Sequence, residues 1–213
     1  MEGPAHEKEE VLLTNKINKK QLINLLIVSL KSMKLPNVNR KLIITGPEPI
    51  PFEITINGVI FRDDLKTFHE EADTIIVSQM LSMVNAGYKR IQVLCEDSDV
   101  FLLLLYHYQE SELHKKDIDV IMQYPATSAK AISIRNTIES LSPTMVSSLL
   151  SAHALTGCDT VPQMYGIVKK AAIKLLNAQD HDGMGLLGNT DPNILWETIE
   201  RGCIEFIRKL IIN

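Results

Sequence analysis

Three short acidic clusters in the sequence contain carboxylates that could bind metal ions. They lie at positions 70–73, 96–99 and 157–160. Hard divalent cations prefer oxygen ligands, and two such ions about 4 Å apart need several carboxylates from different chain segments. A pair of ions can hold a phosphodiester, polarise its phosphoryl oxygen and activate water for in-line attack. Taken together, the clusters suggest metal-dependent hydrolysis of phosphodiesters.

Each cluster also has an ordinary structural explanation. Acidic side chains are favoured at helix N-termini by capping and by the helix dipole, which would account for cluster 70–73. Asp99 is predicted to be the N-cap of the next helix, and Asp159 could be a turn residue after Gly157. No single cluster is specific, so the chemical interpretation depends on the order and context of all three.

The predicted helices and strands place these clusters at the ends of elements. Hydrophobic periodicity and turn signals predict strands at 41–45, 91–95 and 118–124, a hairpin within 52–63, and helices at 19–33, 69–90, 100–109, 142–155, 163–177 and 194–211. The alternation predicts an α/β fold with a mostly parallel central sheet, flanking helices and a helical C-terminal extension. Ligand sites in such sheets lie beyond the carboxyl ends of the strands, where Asp97 and Asp99 follow strand 91–95.

Composition narrows the class of protein. The chain has 213 residues, is 45% hydrophobic and carries a net charge of −4, which indicates a globular protein and excludes a generally basic nucleic-acid coat. The apolar run 100–106 is far too short to span a bilayer, and the acidic N-terminus does not resemble a signal peptide, so no membrane partner is expected. Three widely spaced cysteines favour an intracellular, reducing location, in the nucleus or the cytoplasm.

An ordered set of motifs resembles a known family. E-A-D at 71–73, E-D-S-D-V at 96–100 after an apolar strand, and G-C-D-T at 157–160 followed by G-I-V-K-K at 166–170 resemble the flap-endonuclease branch of the PIN-like nucleases. The segment S-A-H-A-L-T-G-C-D-T is similar, almost letter for letter, to a transposon-associated group of invertebrate PIN-like proteins. The resemblance covers about residues 67–177 and is specific as an ordered set.

The resemblance implies a two-metal nuclease site. It implies Mg²⁺ or Mn²⁺ as cofactors, DNA or RNA as substrate, and catalysis by Asp97, Asp99 and Asp159. The metal ligands that it implies are Glu71, Asp73, Asp97, Asp99 and Asp159. Glu96 matches a position that is not usually a ligand. Glu70 would cap the helix or support a ligand without binding the metal itself. The phosphate contacts would come from Lys169, Lys170 and Lys174, for which the alternative is a solvated helix face.

Two departures from the family pattern keep a second function open. No apolar strand ending in Asp precedes residue 40, and Val168 stands where the family has the last glycine of a Gly-Ile-Gly turn. We therefore expect an N-terminally incomplete PIN-like domain at 19–178, with a frayed segment 1–18 before it and a loop and helix at 179–213 after it. The alternative function is a catalytically degenerate PIN-like remnant that binds nucleic acid or a protein partner.

Other residues with reactive side chains receive structural interpretations. His153 has no paired nucleophile in sight, so it is predicted to be a packed or capping histidine and not a general base. Cys95 and Cys158 each flank an acidic cluster, and both are predicted to be small buried fillers.

Overall fold

The structure is a computed structural model that describes residues 14–36, 41–46, 48–68, 71–124, 131–158, 161–178, 183–189 and 191–212. The chain divides into two compact units, Met1–Glu71 and Ala72–Asn213. Within the described ranges, no helix has both the length and the apolar character needed to cross a membrane.

The first unit contains one helix and a small antiparallel sheet. The helix begins after Asn15, whose side-chain oxygen accepts a hydrogen bond from the N–H of Ile17 at 2.9 Å. The strands of the sheet pair in the order β1-β2-β3. The predicted hairpin is confirmed, because β2 and β3 pair antiparallel across a two-residue turn at 56–57, with Gly58 as the first residue of β3. The bounds are α1 (Lys16–Lys31), β1 (Leu42–Ile44), β2 (Phe52–Thr55) and β3 (Gly58–Phe61).

The second unit is mainly helical and contains a mixed three-stranded sheet. In this sheet β4 and β5 run parallel, and β6 joins β5 antiparallel. In chain order the elements are α2 (Ala72–Asn85), β4 (Arg90–Leu94), α3 (Ser98–Glu110), β5 (Asp119–Gln123), β6 (Ala131–Ser133), α4 (Ile134–Glu139), α5 (Pro143–Thr156), α6 (Lys169–Ala178) and α7 (Trp196–Ile212).

Two groups of buried apolar side chains hold the second unit together. The larger group joins the sheet to α2 and α3 and includes Val93, Leu104 and Met122. The smaller group joins α5, α6 and α7, where Phe206 is fully buried. Since burial of a large apolar side chain contributes roughly 1.5–3 kcal/mol, the last helix is an integral part of this unit and not an extension added to it.

The predicted mostly parallel central sheet is wrong. The strand near 41–45 was expected to join the strands near 91–95 and 118–124, but β1 pairs antiparallel with β2 instead. A parallel neighbour needs a crossover of a dozen or more residues, and the segment between β1 and β2 is too short for one. Only the pair β4–β5 is parallel among the described strands, and the sheets have three strands each.

Two helix limits are marked by glycines. The helix predicted at 163–177 begins only at Lys169, because Gly166 adopts a left-handed φ of 78° in a turn before it. Within the segment predicted as helix at 69–90, the helix ends at Asn85, and Gly87, which the sequence offers as its C-cap, has φ 91° and donates its N–H to the carbonyl of Val84. A residue with positive φ interrupts the α-helical backbone, which is why both glycines mark helix limits.

Candidate metal centre

The candidate site is built where β4 ends and α3 begins. In β4, Ile91 and Val93 are buried and their neighbours are exposed, as alternation along a strand requires. The N–H of Cys95 still bonds to the carbonyl of Gln123, which extends the parallel pairing one residue beyond β4. The chain then leaves the sheet, so the acidic segment 96–99 follows a strand whose position is fixed by the core.

Asp97 caps helix α3. Its Oδ1 accepts a hydrogen bond from the N–H of Asp99 at 2.8 Å, and its own N–H donates to Sγ of Cys95 at 3.4 Å. The prediction that Asp99 is the N-cap is therefore wrong by two residues. Asp97 has the extended backbone of an N-cap, whereas Asp99 already lies in the first turn.

Asp99 contacts a histidine from another helix. Nε2 of His153, on α5, lies 2.8 Å from Oδ1 of Asp99, and the two side chains are 10% and 22% exposed. The distance is short enough for a hydrogen bond, but the ring N–H does not point at the oxygen, so Nε2 makes no hydrogen bond. The contact exists because α5 packs against α3.

Sequence reasoning predicted a packed His153 but not its contact with Asp99. The two residues lie far apart in the chain, and their contact depends on how α5 packs, which local periodicity does not determine. One signal was available, since His153 belongs to the S-A-H-A-L-T-G-C-D-T segment that the resemblance singled out.

Asp73 is a half-buried residue in the first turn of α2. Helix α2 packs against α3, whose first turn contains Asp99. Glu71 ends the first unit, and Glu70 lies outside the described residues.

The segment around the third motif is closely constrained. Gly157 ends α5 with φ 104°, and a Cβ added there would lie 2.6 Å from the backbone of Gln163. Cys158 and Val161 exchange two backbone hydrogen bonds of 2.9 and 3.1 Å. Asp159, a predicted ligand and catalytic residue, lies outside the described residues, so its part in the site stays a prediction.

The predicted phosphate contacts lie on α6. Lys169, Lys170 and Lys174 are exposed, and the first two open the helix, where backbone N–H groups also favour anions. Val168 stands where the family's turn ends in glycine, which puts duplex binding through this turn in doubt. Of the non-glycine residues described, Glu112 has a positive φ and Val168 does not, so the backbone conformation at Val168 does not require glycine.

The described part of the chain contains no group of three or more His, Cys, Asp or Glu side chains arranged to hold a metal ion. Three of the five predicted ligands, Asp73, Asp97 and Asp99, belong to the described part of the second unit. Asp97 and Asp99 follow the carboxyl end of β4, and Asp73 lies in the first turn of the helix that packs against α3, but the three do not form a closed ligand cage. A cation bound there would complete its coordination with water, as Mg²⁺ commonly does in proteins.

No family model, curated protein or solved structure matches the chain. The likeness to PIN-like nucleases therefore rests on the ordered motifs alone. The structure shows in addition that Asp97 and Asp99 directly follow β4.

Proposed function

We propose that this chain is a metal-dependent, nuclease-like protein that hydrolyses phosphodiester bonds of DNA or RNA. The observation that supports the proposal best is the position of Asp97 and Asp99 directly after parallel strand β4. Ligands of parallel sheets bind beyond the carboxyl ends of the strands. Asp73 lies in the first turn of α2, which packs against α3, and Glu71 and Asp159 complete the predicted ligand set.

The uncompensated charge of Asp97 and Asp99 favours a cation. Within the described ranges, no Lys or Arg forms a salt bridge with either carboxylate, and His153 is the side chain within ion-pair distance of Asp99. Capping uses one lone pair of Asp97, and an ionised carboxylate offers about four. Asp97 can therefore cap α3 and still bind a metal ion.

Mg²⁺ or Mn²⁺, when bound, would polarise the phosphoryl oxygen and supply a nucleophilic water. The chain's own residues would do the rest. Asp97 and Asp99 would hold the ion beyond the carboxyl end of β4. Lys169, Lys170 and Lys174 would bind flanking phosphates, which position the substrate without reading its sequence.

A cleavage assay tests the proposal. The folded protein is incubated with flap, branched and single-stranded DNA and RNA in Mg²⁺ or Mn²⁺, beside Asp97→Asn as the matched control. Asn caps a helix about as well as Asp, so Asp97→Asn should keep the fold. We expect it to lower the rate at least about 100-fold, because even the loss of a residue that only supports a ligand costs 10–100-fold.

A second candidate function follows from the same site. The Asp99–His153 contact gives Asp99 a structural role between α3 and α5. This observation favours a degenerate remnant that binds nucleic acid or a protein partner. In that case the folded wild-type protein cuts none of the substrates in either metal, and Asp97→Asn binds labelled nucleic acid as well as wild type does.

A further inference from the structure

We propose that His153 is itself a metal ligand, and that with Asp99 it binds a first-row transition-metal ion in preference to Mg²⁺. The inference rests on the proposed function, because it assigns a donor and a metal class to the same site. It concerns a nitrogen donor, whereas the ligand set implied by the motifs consists of carboxylates alone.

The buried Nε2 of His153 has no hydrogen-bond partner. The side chain as a whole is 10% exposed. Leaving a buried polar atom without a partner is unfavourable. The atom faces Asp99, in the first turn of the helix that follows β4, so a cation bound by both side chains would give Nε2 a partner.

The distance between Nε2 of His153 and Oδ1 of Asp99 suits two ligands of one metal ion. Imidazole nitrogen and carboxylate oxygen bind divalent first-row metals at about 2.0–2.2 Å. Two such donors at a right angle on one metal lie about 3.0 Å apart, and at a tetrahedral angle about 3.4 Å. Nε2 and Oδ1 are 2.8 Å apart without hydrogen-bond alignment. The pair thus has the spacing of neighbouring ligands on an octahedral ion.

Two packed helices fix the positions of His153 and Asp99. His153 is in the last turn of α5, and the buried Thr156 hydroxyl donates to the carbonyl of Ala152 at 2.7 Å in the same turn. Asp99 is in the first turn of α3, which Asp97 caps. Both donors therefore lie on helices that pack against each other, so the two-ligand geometry is built before the ion arrives.

The donor set decides between metals. Mg²⁺ is bound in proteins through oxygen and keeps several waters, whereas imidazole suits transition metals. Mn²⁺ accepts carboxylate and imidazole and is the member of that class which the nuclease chemistry can use. We therefore expect Mn²⁺ to bind more tightly than Mg²⁺, and the difference to depend on His153.

Pulsed electron paramagnetic resonance of Mn²⁺ bound to the whole protein tests this directly. A coordinated imidazole gives a ¹⁴N modulation of the Mn²⁺ electron spin echo that carboxylates and water do not give. We expect this signal in wild type and its loss in His153→Gln. His107→Gln is the matched control, because His107 lies in the last turn of α3, about 12 Å along the helix from Asp99, and should keep the signal.

Affinity supplies a second readout. Mn²⁺ affinity should fall at least about tenfold in His153→Gln, with a smaller change for Mg²⁺. Mn²⁺ that binds wild type in a manner dependent on Asp97 but shows no ¹⁴N modulation would overturn the role of His153 and leave the proposed function standing. A wild-type protein that binds no Mn²⁺ would overturn both. If His153→Gln does not fold, the wild-type spectrum and the Mn²⁺ to Mg²⁺ affinity ratio still decide the matter.

Discussion

The two units hold their carboxylates in opposite electrostatic settings. In the first unit, Glu53 is 4% exposed and forms ion pairs with Lys41 at 3.3 Å and with Arg62, which also forks onto Asp64. At the carboxyl end of β4 in the second unit, Asp97 and Asp99 form no salt bridge with Lys or Arg among the described residues. Acids that stabilise a fold are thus neutralised by arginine and lysine, whereas the acids of the candidate site are left for another cation.

The titration of the first-unit network follows from its pairing. The Asp64 carboxylate raises the pKa of Arg62, and the hydrogen-bonded Arg62 guanidinium in turn lowers the pKa of Asp64. Arginine presents a planar fork that matches a carboxylate in this way. The ion pairs of Glu53 and Asp64 with basic residues therefore indicate a structural role for these acids. Among the described residues, Asp97 and Asp99 have no such arginine or lysine partner.

The largest effect on stability is expected for Arg62→Met. Lys41 remains beside the buried Glu53, but the stronger partner is lost, and breaking a buried ion pair costs about 3–5 kcal/mol. We expect a loss of about 3 kcal/mol in the free energy of unfolding, measured by urea denaturation. The double variant Glu53→Leu with Arg62→Met should recover most of the loss, since it leaves no buried charge. Equal stability of Arg62→Met and wild type would contradict the structural role.

A smaller effect on stability is expected at Asp97, where two substitutions distinguish its capping role from its predicted metal-binding role. Asp97→Ala removes the acceptor for the N–H of Asp99 and should destabilise the protein by about 1 kcal/mol. Asp97→Asn keeps a capping oxygen and should lie within a few tenths of a kcal/mol of wild type. Thermal or urea denaturation of the three proteins in a metal-free buffer checks this. A destabilised Asp97→Asn would mean that the negative charge of Asp97 itself supports the fold.

The smallest effect is the pH dependence due to Asp64. Its folded-state pKa is lowered chiefly by the hydrogen bond from Arg62, so its contribution to stability is present above the pKa of the unfolded chain. The contribution is lost as the pH falls through the lower folded-state pKa. The stability difference between wild type and Asp64→Asn should therefore be constant near neutral pH and shrink below about pH 4. A difference that grows on acidification would contradict this assignment.

Hairpins and helices were predictable where a short sequence signal determines them. The hairpin was predicted from Asn57-Gly58, although its turn falls at 56–57 and Gly58 is already the first residue of β3. Helix α5 follows from Ser142 as N-cap with Pro143 at the first helical position. The position of Asp97 and Asp99 between a strand and a helix was also predicted correctly, because the β-rich segment 91–95 and the apolar run of α3 are strong signals.

Tertiary features were not predictable in the same way. The partner of β1 is determined by the length of its connection to β2, which strand propensity does not reveal, and that is why the sheet was assigned wrongly. The His153–Asp99 contact depends on how α5 packs on α3. The pairing of Glu53 with Arg62 across a hairpin likewise needs the register of β2 and β3.

The central claim is that Asp97 and Asp99 are left without basic partners because they bind divalent metal ions. Calorimetric titration of Mn²⁺ into the folded, metal-free protein measures this most directly. The account predicts saturable binding, with two ions at completion if the full two-metal site forms, and its loss in Asp97→Asn at unchanged stability. An absence of saturable binding in wild type, or equal binding in Asp97→Asn, would contradict it.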